Sequence, residues 1–311
     1  MKLLKEGYDT KSNVFEYLNN TEVQHYLETY QFDKIYANKP RYQFGTYDLT
    51  EVFLNADINP LLYMTEMPGN FIREKLSITS FKIPENITKI SSFAFYHCDN
   101  LTDISMPNTI ELIDIRAFAQ CYKLTKIDLP NNLKHIGKES FLACEGLTEV
   151  IIPNSVEIID KQAFSDCLKL KRVAIGNGVS NIKDYAFASC RNLVKVTFEE
   201  NSLLDHIHNN AFDGCTRLKE INLPNTLTWI SGEAFKDCIH LENIVIPDSV
   251  HSMGAYVFEG CKRLKSVKIG KNVNNLVSDD IFNGCDALEE IICPEHLSFN
   301  FRKYEAILKL Y

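Results

Sequence analysis

Nine cysteines recur along the chain on a nearly constant step: Cys98, Cys121, Cys144, Cys167, Cys190, Cys215, Cys238, Cys261 and Cys285. The gaps are 23, 23, 23, 23, 25, 23, 23 and 24 residues. A phenylalanine stands three positions before each cysteine and a leucine three positions after it, from Phe95 and Leu101 to Phe282 and Leu288. One unit of this length cannot cover its own apolar surface. Neighbouring units must stack, so a repeat of roughly 20 to 29 residues predicts a solenoid rather than a globule.

The unit from Leu101 to Cys121 shows how one coil is built. Leu101, Ile104 and Met106 alternate with Asp103 and Ser105, the period of a short half-buried strand. Pro107 ends it, because proline has no N–H to give to a ladder. Pro130, Pro153, Pro224, Pro247 and Pro294 stand at the same place in other units, and Gly176 and Gly270 replace it in two more. Ile110 and Ile113 turn back to the core, Ala117 and Phe118 form the far wall, and Cys121 closes the coil. Stacking turns each position into a ladder of like residues. Nine to ten coils on a strand spacing of about 4.8 Å make a rod roughly 45–50 Å long.

The A-F-x-x-C-x-x-L core, with alanine relaxed to Ser140, Val257 and Ile281, resembles the BspA-like, or Treponema-type, leucine-rich repeat family over about residues 78–297. The resemblance implies a right-handed leucine-rich-repeat coil with a parallel β-sheet on its concave face. It also implies a non-catalytic binding protein of a kind often found on microbial surfaces. The family has no shared set of functional residues, so only the core ladders carry over.

The repeat breaks in two places. Glu199–Ile207 holds two extra residues, and one more follows Leu276. Insertions in solenoids map to loops on one face. Upstream, Met67–Ile72 reads as a decayed half-repeat with Ile72 in the phenylalanine register. Residues 1–60 hold seven tyrosines and no cysteine, and they are expected to form a small α-helical N-terminal cap or module. The solenoid is expected over 61–297 and a C-terminal helical cap over 298–311, with Tyr304, Ile307, Leu308 and Tyr311 on one side of a short helix at 302–310.

Net charge is −8, which argues against nucleic acid or an anionic membrane as partner. The chain has no apolar run long enough to span a bilayer, and its first residues lack a signal-peptide core. The expected location is therefore cytoplasmic, with the cell surface by a non-standard route as the alternative. Each ladder cysteine sits between phenylalanine and leucine and is expected to pack as a reduced thiol. There is no C-x-x-C spacing, and the histidines do not track the cysteines, so no metal site is expected. His206-Ile-His208 is the one close histidine pair, expected on an exposed polar loop.

No phosphate loop, G-x-S-x-G or H-E-x-x-H occurs, and neither catalytic residues nor a cofactor are expected. The expected function is a scaffold that binds a partner protein, as an intracellular adaptor or inhibitor. A surface adhesin is the alternative and an unrecognised enzyme a third. A monomer is expected. Two surfaces compete for the partner. On the concave face, Lys171, Arg172 and Lys195 cluster near Ile151, Ala174, Val194 and Thr197, a basic spot with apolar neighbours on an acidic chain. On the lateral face, the column just before each inward isoleucine places Leu112, Ile158 and Trp229 outward.

Overall fold

A computed structural model describes residues 65–311 apart from 68, 73–76 and 279. The expected helical module over 1–60 lies outside the described residues. From Glu66 onward the chain winds into a parallel β-solenoid of about ten turns, each turn having three sides.

The first side is the strand expected from the alternating pattern. In Asp103–Ser105 only Ile104 is buried, and in Glu149–Ile152 the buried residues are Val150 and Ile152. These primary strands form three parallel sheets. Ser80–Lys82 pairs with Asp103–Ser105, and Glu149–Ile152 starts a group of four that ends at Glu220–Ile221. The last group runs from Asn243–Val245 to Leu308–Leu310. The ladder is interrupted at residues 124–130, where the outward Lys126 and Asp128 side chains pair with each other at 2.8 Å along one segment.

The second side was not foreseen as a sheet. Ten two-residue strands, from Glu66–Met67 to Asn275–Leu276, pair in parallel down the whole solenoid. In most of them the second residue is a fully buried isoleucine, such as Ile90, Ile113, Ile136 and Ile159. Two residues are too few for an alternation to be read from one strand, so the ladder becomes visible only when the coils are stacked.

The third side carries the phenylalanine and cysteine. Here most coils hold two residues at positive φ, for example Arg116 (52°) and Gln120 (63°) around Phe118. The N–H groups of Arg116, Phe118 and Gln120 donate to the carbonyls of Lys138, Ser140 and Leu142 on the following coil at 3.0, 2.8 and 2.7 Å. On the lateral side the direction reverses. Lys134 and Gly137 donate to Glu111 and Ile113 on the preceding coil, both at 2.8 Å. Each coil thus satisfies its backbone groups through both neighbours, which compensates residues held in the left-handed region.

Inside, the phenylalanines stack. From Phe95–Phe118 (4.9 Å between centroids, 11° between planes) to Phe258–Phe282 (5.9 Å, 12°) every successive pair is face to face. All nine rings are at most 1% exposed. Cys98 to Cys261 are buried and Cys285 is half-buried; all are free thiols. Ile72 does take the phenylalanine register, since its carbonyl accepts from the Cys98 thiol at 3.0 Å as Phe95 accepts from Cys121 at 3.2 Å.

The C-terminal end differs from the short helix expected at 302–310. A 3-10 segment runs over Glu295–Ile307, with non-helical backbone at Phe301 and Tyr304, and then Leu308–Leu310 adds a last primary strand beside Glu290–Cys293. The physical reason is the open end of the core. Phe301, fully buried, lies 5.8 Å from Phe282 and continues the ring ladder, while Tyr304 meets Phe282 edge-on at 5.9 Å. Backbone that must also extend the sheet cannot remain helical.

Candidate functional site

The solenoid presents surfaces rather than a cleft. Two depressions of about 290 and 370 Å³ lie on the primary strands, one lined by Ser80–Lys82 with Asp103 and Ser105, the other by residues around Val245 and Pro247. Both are shallow and lack the convergent polar groups of an active site. Among the described residues no group of three or more histidine, cysteine or acidic side chains is placed to hold a metal ion. Among them, too, no helix is long and apolar enough to cross a membrane.

On the primary sheet the register brings the expected residues together. Lys195 stands beside Arg172, which stands beside Glu149; Thr197 stands beside Ala174, which stands beside Ile151. Ile151 is 64% exposed, whereas Ala174 and Val194 are half-buried. Val194 lies between Lys171 and Lys219 in the backbone ladder, with both hydrogen bonds at 2.9 Å. The cluster is less uniformly basic than its sequence spacing suggests, because the Lys195 ammonium pairs with Glu220 on the next strand at 2.7 Å. That carboxylate is held below its ordinary range by the Lys195 hydrogen bond. Lys171 and Arg172 are exposed and, among the described residues, have no ion-pair partner.

On the lateral face Trp229 is 46% exposed, but Leu112 and Ile158 are only half-buried rather than open. They flank His135 in register on the two adjacent strands.

The histidine pair does not lie on a polar loop. His206 opens a lateral strand and pairs in register with Asn181 and Trp229. The His206 ring stacks on His208 (3.8 Å, 13°) and on Trp229 (5.1 Å, 11°). Around them, Lys183 Nζ lies 3.2 Å and Asn181 Oδ1 3.0 Å from His208 Nε2, while His206 Nε2 lies 2.8 Å from Ser231 Oγ. Burial, the stacked His206 ring and the Lys183 ammonium push the His208 pKa down to about 4. Burial also raises Asp184, but the Lys161 ammonium at 2.8 Å outweighs it and the carboxyl titrates below its usual value. The sequence signal for this cluster was the H-x-H spacing of His206 and His208. What was missing was the knowledge that this segment is a strand whose neighbour supplies a tryptophan.

The insertions are placed at corners of the coil. In Glu199–Asp205 the three acids are exposed, Leu204 is buried in the core and Leu203 is 62% exposed. The extra residue after Leu276 leaves Val277 exposed.

Comparison with known proteins places these features in a family. The sequence matches the BspA type leucine rich repeat region in two stretches, residues 65–194 and 180–304, with six copies. Among solved structures, a leucine rich repeat protein of T. pallidum is 32% identical, over 50% of this chain and 72% of that one, with a TM-score of 0.46. A leucine rich cell surface protein of Faecalibacterium prausnitzii is 23% identical over 80% of both chains, with a TM-score of 0.38. The pneumococcal vaccine antigen PcpA is 24% identical over 69% of this chain and 68% of its own, with a TM-score of 0.36. A search of the curated proteins found no match. With the matched stretches covering more than half of the sequence and each copy carrying the phenylalanine, cysteine and leucine ladders described above, the chain belongs to the BspA type leucine-rich repeat family.

Proposed function

We propose that this chain is a non-catalytic scaffold that binds a partner protein through the outward face of its primary sheets. Leucine-rich repeat solenoids generally serve as binding scaffolds. The observation that carries the choice of face is the register of Ile151, Ala174 and Thr197 beside Arg172 and Lys171. It places an exposed apolar residue next to two unpaired cations on an acidic chain. An acidic partner with an apolar contact in its centre fits that arrangement. Lys195 contributes to recognition after exchanging Glu220 for a partner carboxylate. The proposed setting is cytoplasmic and the proposed state a monomer, with an exported adhesin as the competing setting.

A second surface is favoured by Trp229, whose exposed indole continues a stack of two imidazoles on the lateral sheet. Tryptophan is over-represented among residues that dominate interfaces. One experiment separates the two: capture from source-cell lysate by the tagged full chain, read by quantitative mass spectrometry. The variants are Arg172→Glu with Lys195→Glu, and Trp229→Ala. A near-stoichiometric protein lost only with the charge reversals supports the primary face. Loss only with Trp229→Ala moves the site to the lateral face. Capture unchanged by both variants excludes both faces, and binding to intact cells in place of any lysate protein supports the adhesin.

A further inference from the structure

The basic spot on the primary sheet is one corner of a larger feature. Three segments of six residues, 167–172, 190–195 and 215–220, lie on successive coils between each ladder cysteine and the start of its primary strand. Together they carry seven cations and one carboxylate in a chain whose net charge is −8. Lys169, Lys171 and Arg172 stand on one coil, Arg191 and Lys195 on the next, Arg217 and Lys219 on the third, and all seven are exposed. Among the described residues only Lys195 of these has a carboxylate partner, Glu220. The rim is held in register by its own hydrogen bonds. Asn192 donates to the Leu168 carbonyl at 2.7 Å, Arg217 Nη1 donates to Asn192 Oδ1 at 3.0 Å, and Thr216 donates to the Arg191 carbonyl at 3.1 Å. Acidic side chains, Glu145 and Glu149 before it and Glu242 after it, mark its ends. Beyond Glu242, Lys262 and Arg263 resume the row.

What the rim lacks narrows the ligand. It has no aromatic side chain on which a base could stack, the contact that single-stranded nucleic acid binders add to a basic groove. Its apolar residues Leu168 and Val194 are half-buried, and no large apolar side chain stands free to anchor a protein. Neither depression described above lies on it. The remaining fit is to a linear chain held by charge alone. Each of the three coils contributes two or three cations, and the coils stack about 4.8 Å apart along the solenoid axis. One pyranose residue advances a polysaccharide by about the same distance. The planar forks of Arg172, Arg191 and Arg217 suit the tetrahedral oxygens of a sulfate as they suit a phosphate.

We propose that this rim binds a linear sulfated polysaccharide lying along the solenoid axis. Lys171, Arg172 and Lys195 border both this rim and the protein-binding face, whereas Lys169, Arg191 and Arg217 belong to the rim alone.

The test is titration calorimetry of the full chain with heparin, desulfated heparin, polyphosphate and polyglutamate, at low and at physiological ionic strength. The variants are Lys169→Glu/Arg191→Glu/Arg217→Glu and, for the same change of net charge elsewhere, Lys134→Glu/Lys138→Glu/Lys161→Glu. Circular dichroism confirms that each folds, and the neutral set Lys169→Gln/Arg191→Gln/Arg217→Gln replaces the first if it does not. The expected result is heparin binding that weakens with salt, by about tenfold or more on desulfation and by about tenfold or more in the rim variant, but little in the control. Three results would overturn the proposal: no heparin binding, undiminished binding by the rim variant, or equal affinity for polyphosphate or polyglutamate. None of these bears on partner-protein capture, which is read by the Arg172 and Lys195 reversals and not by the rim set.

Discussion

The thiol of Cys144 donates to the carbonyl oxygen of Phe118, one coil back, at 3.0 Å. The same bond recurs from Cys167 to Phe141 and from Cys190 to Phe164, so the cysteine of each motif is a rung to the phenylalanine of the motif before it. That carbonyl already accepts the Cys121 N–H at 3.2 Å, and the thiol satisfies its second lone pair inside the core. Replacing Cys144 by alanine removes both the bond and a sulfur-sized volume. The expected loss is about 1–2 kcal/mol, read as a shift of the urea midpoint. Serine should cost less than alanine, since its hydroxyl can reach the same acceptor. A serine variant less stable than the alanine one would show that the hydroxyl is buried without making the bond, which would refute the rung as the reason for cysteine here.

The ring ladder should be most sensitive at its centre. Phe164 is packed between Phe141 at 5.0 Å and Phe187 at 5.4 Å. Phe164→Ala should destabilise by about 3–5 kcal/mol, because no terminal coil can collapse into the cavity. Phe301→Ala, at the last rung, should cost visibly less and leave the remaining ladder intact. Equal losses at the two positions in chemical denaturation would contradict a nearest-neighbour solenoid.

Left-handed residues offer a route to higher stability. Ala143 has φ of 54°, and the corresponding place in other coils is held by Gly214, Gly260 and Gly284 at 68° to 71°. Ala143→Gly removes the steric cost of Cβ in that region while adding unfolded-state entropy. The net gain expected is roughly 0.5–1 kcal/mol. A melting temperature at or below that of the parent chain would refute it.

The stacked imidazoles should make stability pH-dependent in one direction. His208 is held at about 4 in the folded chain by burial, His206 and Lys183, against the partial opposition of Asp184, and its unfolded value is about 6.5. The unfolded chain therefore binds more protons than the folded one between these values. The contribution is present in full above about pH 6.5 and is lost as pH falls toward about 4. His208→Gln should flatten this part of the profile relative to the parent. Because the single tryptophan, Trp229, stacks on His206, its fluorescence should change over the same window, and a flat signal between pH 7 and 4.5 would remove the stack from the explanation.

Much of this was readable from spacing. The primary strands, the phenylalanine ladder and the half-repeat at Ile72 follow from residues that recur at one period, since identical environments select identical side chains. The lateral sheet was less readable because each of its strands contributes two residues, and its outward column varies freely from Lys89 to Asn275. At the C-terminus Tyr304, Ile307, Leu308 and Tyr311 share a helical spacing, but the segment is helical, as 3-10 turns, only as far as Ile307 and then becomes a strand. Phe282, the last ring of the repeat ladder, takes Phe301 as its next neighbour and is buried by it.

The sequence by itself determined what lies inside this protein. A strict period of large apolar residues can be buried only by stacking, whatever the outside looks like. Tertiary structure alone decided which outward residues meet. Trp229 on His206, the Lys195 ammonium on Glu220 and the rim from Lys169 to Lys219 join residues one or two coils apart along the chain, brought together by the register between neighbours. That register is set by backbone hydrogen bonds, to which exposed side chains are indifferent, so no pattern in those side chains announces it.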